Sequence, residues 1–259
     1  MDAERFRGQG RGAVEPPGGP TRGGPRAACP SGLPACARML LWRVPGLFVV
    51  NKPRGPSSFD AIRSARRELG ARKIGHAGTL DPIADGVLVL GVGWATRALA
   101  LFSGADKTYR VRLRLGERTD SFDETGRVLE RRDFSGVTAG SLGEALARFR
   151  GEIRQVPPMF SALKRSGRPL YELARSGQTV ERAARTVTVR RLELVRFAPP
   201  DVELELDCSA GTYVRSLVED LGLELGTGAV VTALTRTRVG PFTLDEAREL
   251  GRLLGPPRK

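Results

Sequence analysis

From Met39 onward the apolar positions of this chain fall into two interleaved periods, that of a strand and that of a helix. Leu47 to Val50 is a short apolar run that predicts a strand. Ser57, with Asp60 three residues later, reads as a capping box. It opens a helix whose Ile62, Ala65 and Leu69 share one face, while Arg63, Arg66 and Arg67 fall on the other. Tyr109, Val111, Leu113 and Leu115 alternate with Arg110, Arg112 and Arg114, which predicts a strand with one buried and one basic face. Ser141 with Glu144 predicts the cap of a helix built on Leu142, Ala145, Leu146 and Phe149. Strand patterns return at Val187 to Leu194 and at Val202, Leu204, Leu206 and Cys208, and a helix comes next with Val214, Leu217, Val218 and Leu221 on one face. Thr243 with Glu246 predicts the cap of a last helix.

Residues 1–38 break this pattern. They hold 8 Gly and 6 Pro and almost no large aliphatic residue, so they cannot bury enough surface to offset the entropy of ordering. They are expected to be a disordered extension, with 39–259 as one folded domain and Met39 as a candidate translational start. A chain of 259 residues with 40% hydrophobic content can build a real core. Its formal charge of +13 favours a polyanionic partner. Of its 42 basic residues 37 are Arg and 5 are Lys, a bias that genome composition also produces, so charge alone does not decide. Cys29, Cys36 and Cys208 are too few and too scattered for a disulfide framework or a four-ligand zinc site, which fits a reducing, cytoplasmic setting. With His76 as the single histidine, a metal cluster has no sequence support. No apolar run approaches the ~20 residues of a membrane span. No phosphate loop or GxGxxG fingerprint occurs, so no nucleotide cofactor is expected.

The densest unusual segment runs from Lys73 to Arg97, KIGHAGTLDPIADGVLVLGVGWATR. Its glycines make the backbone compliant, and Pro82 bars Asp81 from comfortable helical geometry, which holds that carboxylate on a turn. Asp before Pro is also an ordinary turn composition, so the tripeptide alone decides nothing. Asp85 lies four residues on, but it precedes Gly86 in another usual turn pair and is expected to hydrogen-bond locally rather than complete a two-carboxylate hydrolase.

The whole segment resembles the active-site block of the TruB family of tRNA pseudouridine synthases. NKPRGPSSFDAI from Asn51 resembles the family's first motif, and DKTYRVRLRLGERTDSFDETG from Asp106 and QVPPMFSALKRSGRPLYELARSGQTVER from Gln155 resemble later ones. CSAGTYVRSLVEDLG from Cys208 and ALTRTRVGPFTLDEA from Ala233 complete the set in order, so the similarity covers about Phe48 to Leu254. The resemblance implies an α+β catalytic domain around a central, mostly antiparallel mixed sheet flanked by helices. It implies isomerisation of the uridine at position 55 in the T-loop of tRNA, with no metal and no cofactor, by a monomer that grips the T-arm. Carried over residue by residue, it places the catalytic carboxylate at Asp81, the active-site tyrosine at Tyr109 and the arginine at Arg215. It places pocket positions at Tyr213 and Leu234, the histidine that packs against displaced bases at His76, and a supporting lysine at Lys52.

The residue types suit that chemistry. Breaking a glycosidic bond creates cationic character at the sugar, which a carboxylate stabilises or captures. A bidentate arginine would fix the rotamer of Asp81 and favour its charged form. The ring of Tyr109 can stack on uracil with its hydroxyl near C5, though the same ring could simply anchor its strand. Extruding a base costs a few kcal/mol, which phosphate contacts must offset. Candidates are Arg63, Arg66, Arg67, Arg72 and Lys73, then Lys107 and Arg110, then Lys164, Arg165 and Arg168, each of which could equally be solvated surface. Only 13 residues follow Glu246, so no C-terminal PUA domain is expected. Ala77 and Thr235 stand where the family commonly has Thr and Arg. A tRNA-folding chaperone is the alternative from another class; intact Asp81, Tyr109 and Arg215 favour the enzyme.

Overall fold

The computed structural model describes residues 46–254 apart from residue 166. The expected extension 1–38 and Met39 lie outside the described residues. In chain order the first half comprises β1 (Leu47–Lys52), α1 (Ser58–Leu69), β2 (Ile74–His76), β3 (Ala84–Val92), α2 (Leu99–Ser103), β4 (Lys107–Leu115), β5 (Glu117–Thr119) and β6 (Val128–Arg131). It continues with α3 (Ala139–Arg148), β7 (Gly151–Gln155), β8 (Lys164–Arg165), β9 (Arg168–Pro169), α4 (Leu170–Arg175) and β10 (Arg185–Ala198). The last elements are β11 (Asp201–Cys208), α5 (Val214–Glu224), β12 (Ala229–Val239), β13 (Phe242–Thr243) and β14 (Arg248–Glu249).

One mixed sheet organises them in the order β14-β1-β3-β12-β4-β11-β10-β7, with β2 on β3 and β13 on β12. Among the described residues, β1 with β14 and β3 with β12 pair in parallel, and the other pairs are antiparallel. The expected α+β fold with a mostly antiparallel mixed sheet is what forms. Apolar residues of α1, α3 and α5 pack on Val111, Leu113, Leu204, Leu206 and Val231 in the main core. A fully buried leucine such as Leu113 contributes on the order of 2 kcal/mol. Val87 and Val89, pointing to the opposite side of β3 from Leu88 and Leu90, join Leu99 and Val239 in a smaller cluster behind it. No helix among the described residues is long and apolar enough to cross a membrane.

Three expectations about local pattern need correction. The cap of α3 is Thr138, not Ser141: Thr138 N–H donates to Ser141 Oγ at 3.0 Å and Ser141 N–H to Thr138 Oγ1 at 3.1 Å, so the helix begins three residues earlier. Phe149 is then its half-buried C-cap, while Leu142, Ala145 and Leu146 are buried as expected. Thr243 N–H does bond Glu246 Oε2 at 3.0 Å, but the box caps only a single turn of 3₁₀ helix, Leu244–Glu246, because Ala247 becomes extended and β14 joins β1. The outward arginines of β4 do not make a basic face. β11 sets acids opposite them, with Arg112 on Glu203 at 2.8 Å and Arg114 on Asp201 at 3.6 Å, and Arg110 in register with Glu205.

Candidate active site

Asp81 sits in the loop between β2 and β3, and the surrounding sequence fastens that loop from several sides. The capping box of Ser57 and Asp60 starts α1, and the next residue, Ser58, is buried with its hydroxyl turned to the loop. Leu80 N–H donates to Ser58 Oγ at 2.8 Å, and Ser58 Oγ donates to Leu80 O at 3.1 Å. Gly55 N–H donates to Pro82 O at 2.7 Å. Arg236, 1% exposed, runs beneath the loop, donating Nε to Val87 O at 2.8 Å and Nη2 to Gly78 O at 3.1 Å. Gly78 holds φ at +86°, a region that glycine enters without strain.

The carboxylate itself meets Arg215, which the first turn of α5 carries. Arg215 Nε and Nη2 both lie 2.9 Å from Asp81 Oδ2, so the pair converges on one oxygen rather than the side-by-side fork that a bidentate arginine would make. Oδ1 takes no part in that contact. Arg215 is 3% exposed and its other donors are also held: Nη1 by Ser121 O at 2.9 Å and Asp123 Oδ2 at 3.3 Å, and Nη2 by Phe160 O at 2.8 Å. Asp123 is buried too and accepts from Ser121 Oγ at 2.8 Å and Thr125 N at 3.0 Å. Phe122, with φ at 63°, turns the backbone between these two acceptors; a left-handed non-glycine is strained and persists only where its surroundings hold it.

Two cavities open on either side of Asp81. The smaller, about 320 Å³, is lined by Asp81, Tyr109, Tyr213, Leu234, Lys107 and Arg185 among others. The larger, about 600 Å³, has His76, Phe59, Phe160, Tyr171, Asp123 and Arg215 in its wall. Asp81, Thr79, Leu80 and Ala162 belong to both, so the carboxylate stands on the partition. Its side chain is 30% exposed beside a nearly inaccessible arginine.

Other expected site residues divide into those at the cavities and those supporting them. Tyr109 is 7% exposed; burial pushes its phenol above the usual value, opposed by the positive charge of the nearby Arg236. Burial and Arg236 hold the His76 imidazole below its ordinary range, which suits a neutral stacking ring. Lys107 lines the smaller cavity but its ammonium donates to Ser103 O at 2.7 Å and Ala105 O at 2.6 Å, and burial lowers its pKa. Lys52 is fully buried and lines neither cavity among the described residues; it donates to Pro53 O and Pro56 O, both at 2.8 Å, bracing the turn before α1. Burial lowers its pKa to about 8, against the opposing pull of Asp85 and Asp81. Arg63, Arg66 and Arg67 are exposed along α1, leading away from the larger cavity, and Arg63 is paired with Asp60. Arg110 points to the opposite face of the sheet among acids. Sequence reasoning missed Asp123, Arg236, Arg185 and Gln155. Gln155, fully buried, clasps the Tyr213 backbone through Nε2 to O at 2.9 Å and N to Oε1 at 2.7 Å.

A family model described as TruB family pseudouridylate synthase (N terminal domain) matches residues 66–214, and one described as tRNA pseudouridylate synthase B C-terminal domain matches 215–255. The chain belongs to the TruB family. This TruB chain is 54% identical over 216 residues to tRNA pseudouridine synthase B of Burkholderia mallei (strain ATCC 23344), covering 83% of this chain and 69% of that protein. Against the tRNA pseudouridine synthase B of Pseudomonas aeruginosa (strain UCBPP-PA14) the identity is 52%, with coverages of 79% and 67%. Among solved structures, a chain in the crystal structure of a Cbf5-Nop10-Gar1 complex matches with TM-score 0.66 and 31% identity over 83% of this chain. A chain in an H/ACA RNP bound to a substrate RNA containing 2'-deoxyuridine matches with TM-score 0.62 and 27% identity over 86%. The TruB chain spans about half, 55%, of each of those two.

Proposed function

We propose that this TruB chain isomerises uridine to pseudouridine in tRNA, at position 55 of the T-loop, with Asp81 as the catalytic carboxylate. The observation that carries the reading is the placement of Asp81: a partly exposed carboxylate, tied by one oxygen to a buried arginine, on the wall between two cavities. The extruded uracil enters the smaller cavity, against Tyr109 and Leu234, while His76 faces the bases from the larger one. Breaking the N1–C1' bond leaves electron demand at C1', next to the carboxylate. The detached base turns and C5 bonds to C1'; the C5 proton then leaves and N1 gains one, so the reaction is balanced without oxidant or co-substrate. Tyr109 serves as the neutral phenol facing that proton, and the positive charge of Arg236 nearby lowers the cost of transient negative charge there.

Arg215 keeps Asp81 in one rotamer and neutralises its charge in the ground state. The loop fastened by Ser58, Gly55 and Arg236 supplies the rigidity that such positioning requires. Incubating the protein with an unmodified tRNA transcript and mapping pseudouridine by chemically induced reverse-transcription stops tests the reading. One stop, at position 55, is expected; its absence, or stops only elsewhere, overturns it.

A further inference from the structure

We infer that Arg185 is a phosphate-binding residue of this site, gripping a backbone phosphate of the nucleotide extruded into the smaller cavity. The inference rests on the uridine-isomerase reading and adds a contact that it does not require. Among the described residues, three cations line that cavity: Lys107, Arg236 and Arg185. Lys107 donates to the carbonyls of Ser103 and Ala105, and Arg236 to those of Val87 and Gly78, so both are engaged by backbone. Arg185 differs. Its Nε is shielded from solvent without a hydrogen-bond partner, and among the described residues no carboxylate pairs with it. Its guanidinium lies over the Tyr213 ring, 4.6 Å from the centroid. A Cβ added to Gly211 would meet the same guanidinium at 3.8 Å, so the plane is held against the GTY turn that leads into α5 and Arg215.

A half-buried planar guanidinium with donors to spare, fixed in orientation by an aromatic face, matches the pair of non-bridging oxygens of a phosphodiester. A small neutral or cationic ligand would leave that charge without an opposite. An extruded nucleotide brings one unavoidably: a base seated against Tyr109 and Tyr213 carries its sugar and flanking phosphodiesters to the cavity rim. Tyr213 then has two partners on different atoms, with Gln155 holding its backbone and Arg185 covering its ring.

The test uses T-arm hairpins in which one phosphodiester at a time, around the target uridine, is replaced by a neutral methylphosphonate. Binding is measured to the Asp81→Asn protein, so that bound RNA is not converted, with and without Arg185→Gln. One linkage is expected to weaken binding about tenfold when Arg185 is present and less than about twofold when Gln replaces it, the behaviour of two groups that contact each other. Should Arg185→Gln fail to fold by thermal melting, Arg185→Lys decides: it keeps the charge but not the fork, and the same linkage should lose an intermediate part of its penalty. If no linkage matters, or if every penalty is unchanged by either replacement, Arg185 only braces Tyr213 and the inference is overturned. Failure of the isomerase reading would show separately, as absence of pseudouridine when the wild-type protein meets the unsubstituted hairpin.

Discussion

Arg215 joins residues far apart in the chain, holding Asp81 from 134 positions away and Asp123 from 92 positions away. A single lysine ammonium cannot reach Asp81, Ser121 O, Asp123 and Phe160 O together. Arg215→Lys is therefore expected to lower the single-turnover rate at least about a hundredfold while tRNA affinity stays within about tenfold; a rate near wild type would refute the positioning role. Lys52 gives a pH test. Its folded pKa of about 8 lies below the ordinary 10.5, so the unfolded chain binds more protons between those values. The penalty for burying its charge is thus full below pH 8 and is relieved as pH rises toward 10.5, by up to about 1.4 kcal/mol per pH unit. Denaturant unfolding of wild type and Lys52→Met should show wild type gaining stability relative to the variant over that window, and a constant difference would contradict it. At this scale the sequence told much, but unevenly. Asp81, Tyr109 and Arg215 were legible because they sit in recognisable motifs. Asp123 and Arg236 lie within such motifs too yet carry no signal of their own, since what matters about them is burial and partners that only the folded chain brings near.

Helix capping shows where pattern reading succeeds and where it slips. The box at Ser57 and Asp60 forms as expected because nothing nearby competes. At α3, Thr138 with Ser141 offers an equivalent box one turn earlier, and both starts leave Leu142, Ala145 and Leu146 on the same buried face, so apolar periodicity cannot choose between them. Thr138→Ala should cost about 1 kcal/mol and Glu144→Ala less than about 0.5 kcal/mol in thermal or denaturant unfolding; the reverse order would restore the later cap. Element pairing also sets a strict limit at Gly86. With φ at +100° on β3, an added Cβ there would come within 2.3 Å of Arg236 O on β12. Gly86→Ala should lower unfolding free energy by at least about 2 kcal/mol, since it strains both the backbone and the parallel pairing that carries Arg236 beneath the Asp81 loop.

For the molecule as a whole, net charge alone misplaces the basic surface. The β4 arginines are met by Asp201, Glu203 and Glu205, and Arg63 by Asp60, whereas Arg66 and Arg67 at the end of α1 and Arg72 and Lys73 just after it are exposed. Single-strand periodicity could predict the outward arginines but not the acidic strand beside them, because strand neighbours are set by topology. Reversing Arg66 and Arg67 together should weaken tRNA binding and flatten its log-log salt dependence by one to two units, at roughly 0.7 to 0.9 for each phosphate no longer neutralised. An unchanged slope would remove α1 from the interface. The claim on which the rest depends is that Asp81 performs chemistry rather than only shaping a binding surface. Its most direct test is release of a tritium label from C5 of the target uridine, measured with enzyme in excess over a T-arm hairpin. Wild type should release the label as pseudouridine forms, and Asp81→Asn should release none above background while binding the same RNA within about tenfold, or ~1.4 kcal/mol. Release by Asp81→Asn at a rate near wild type would contradict the account.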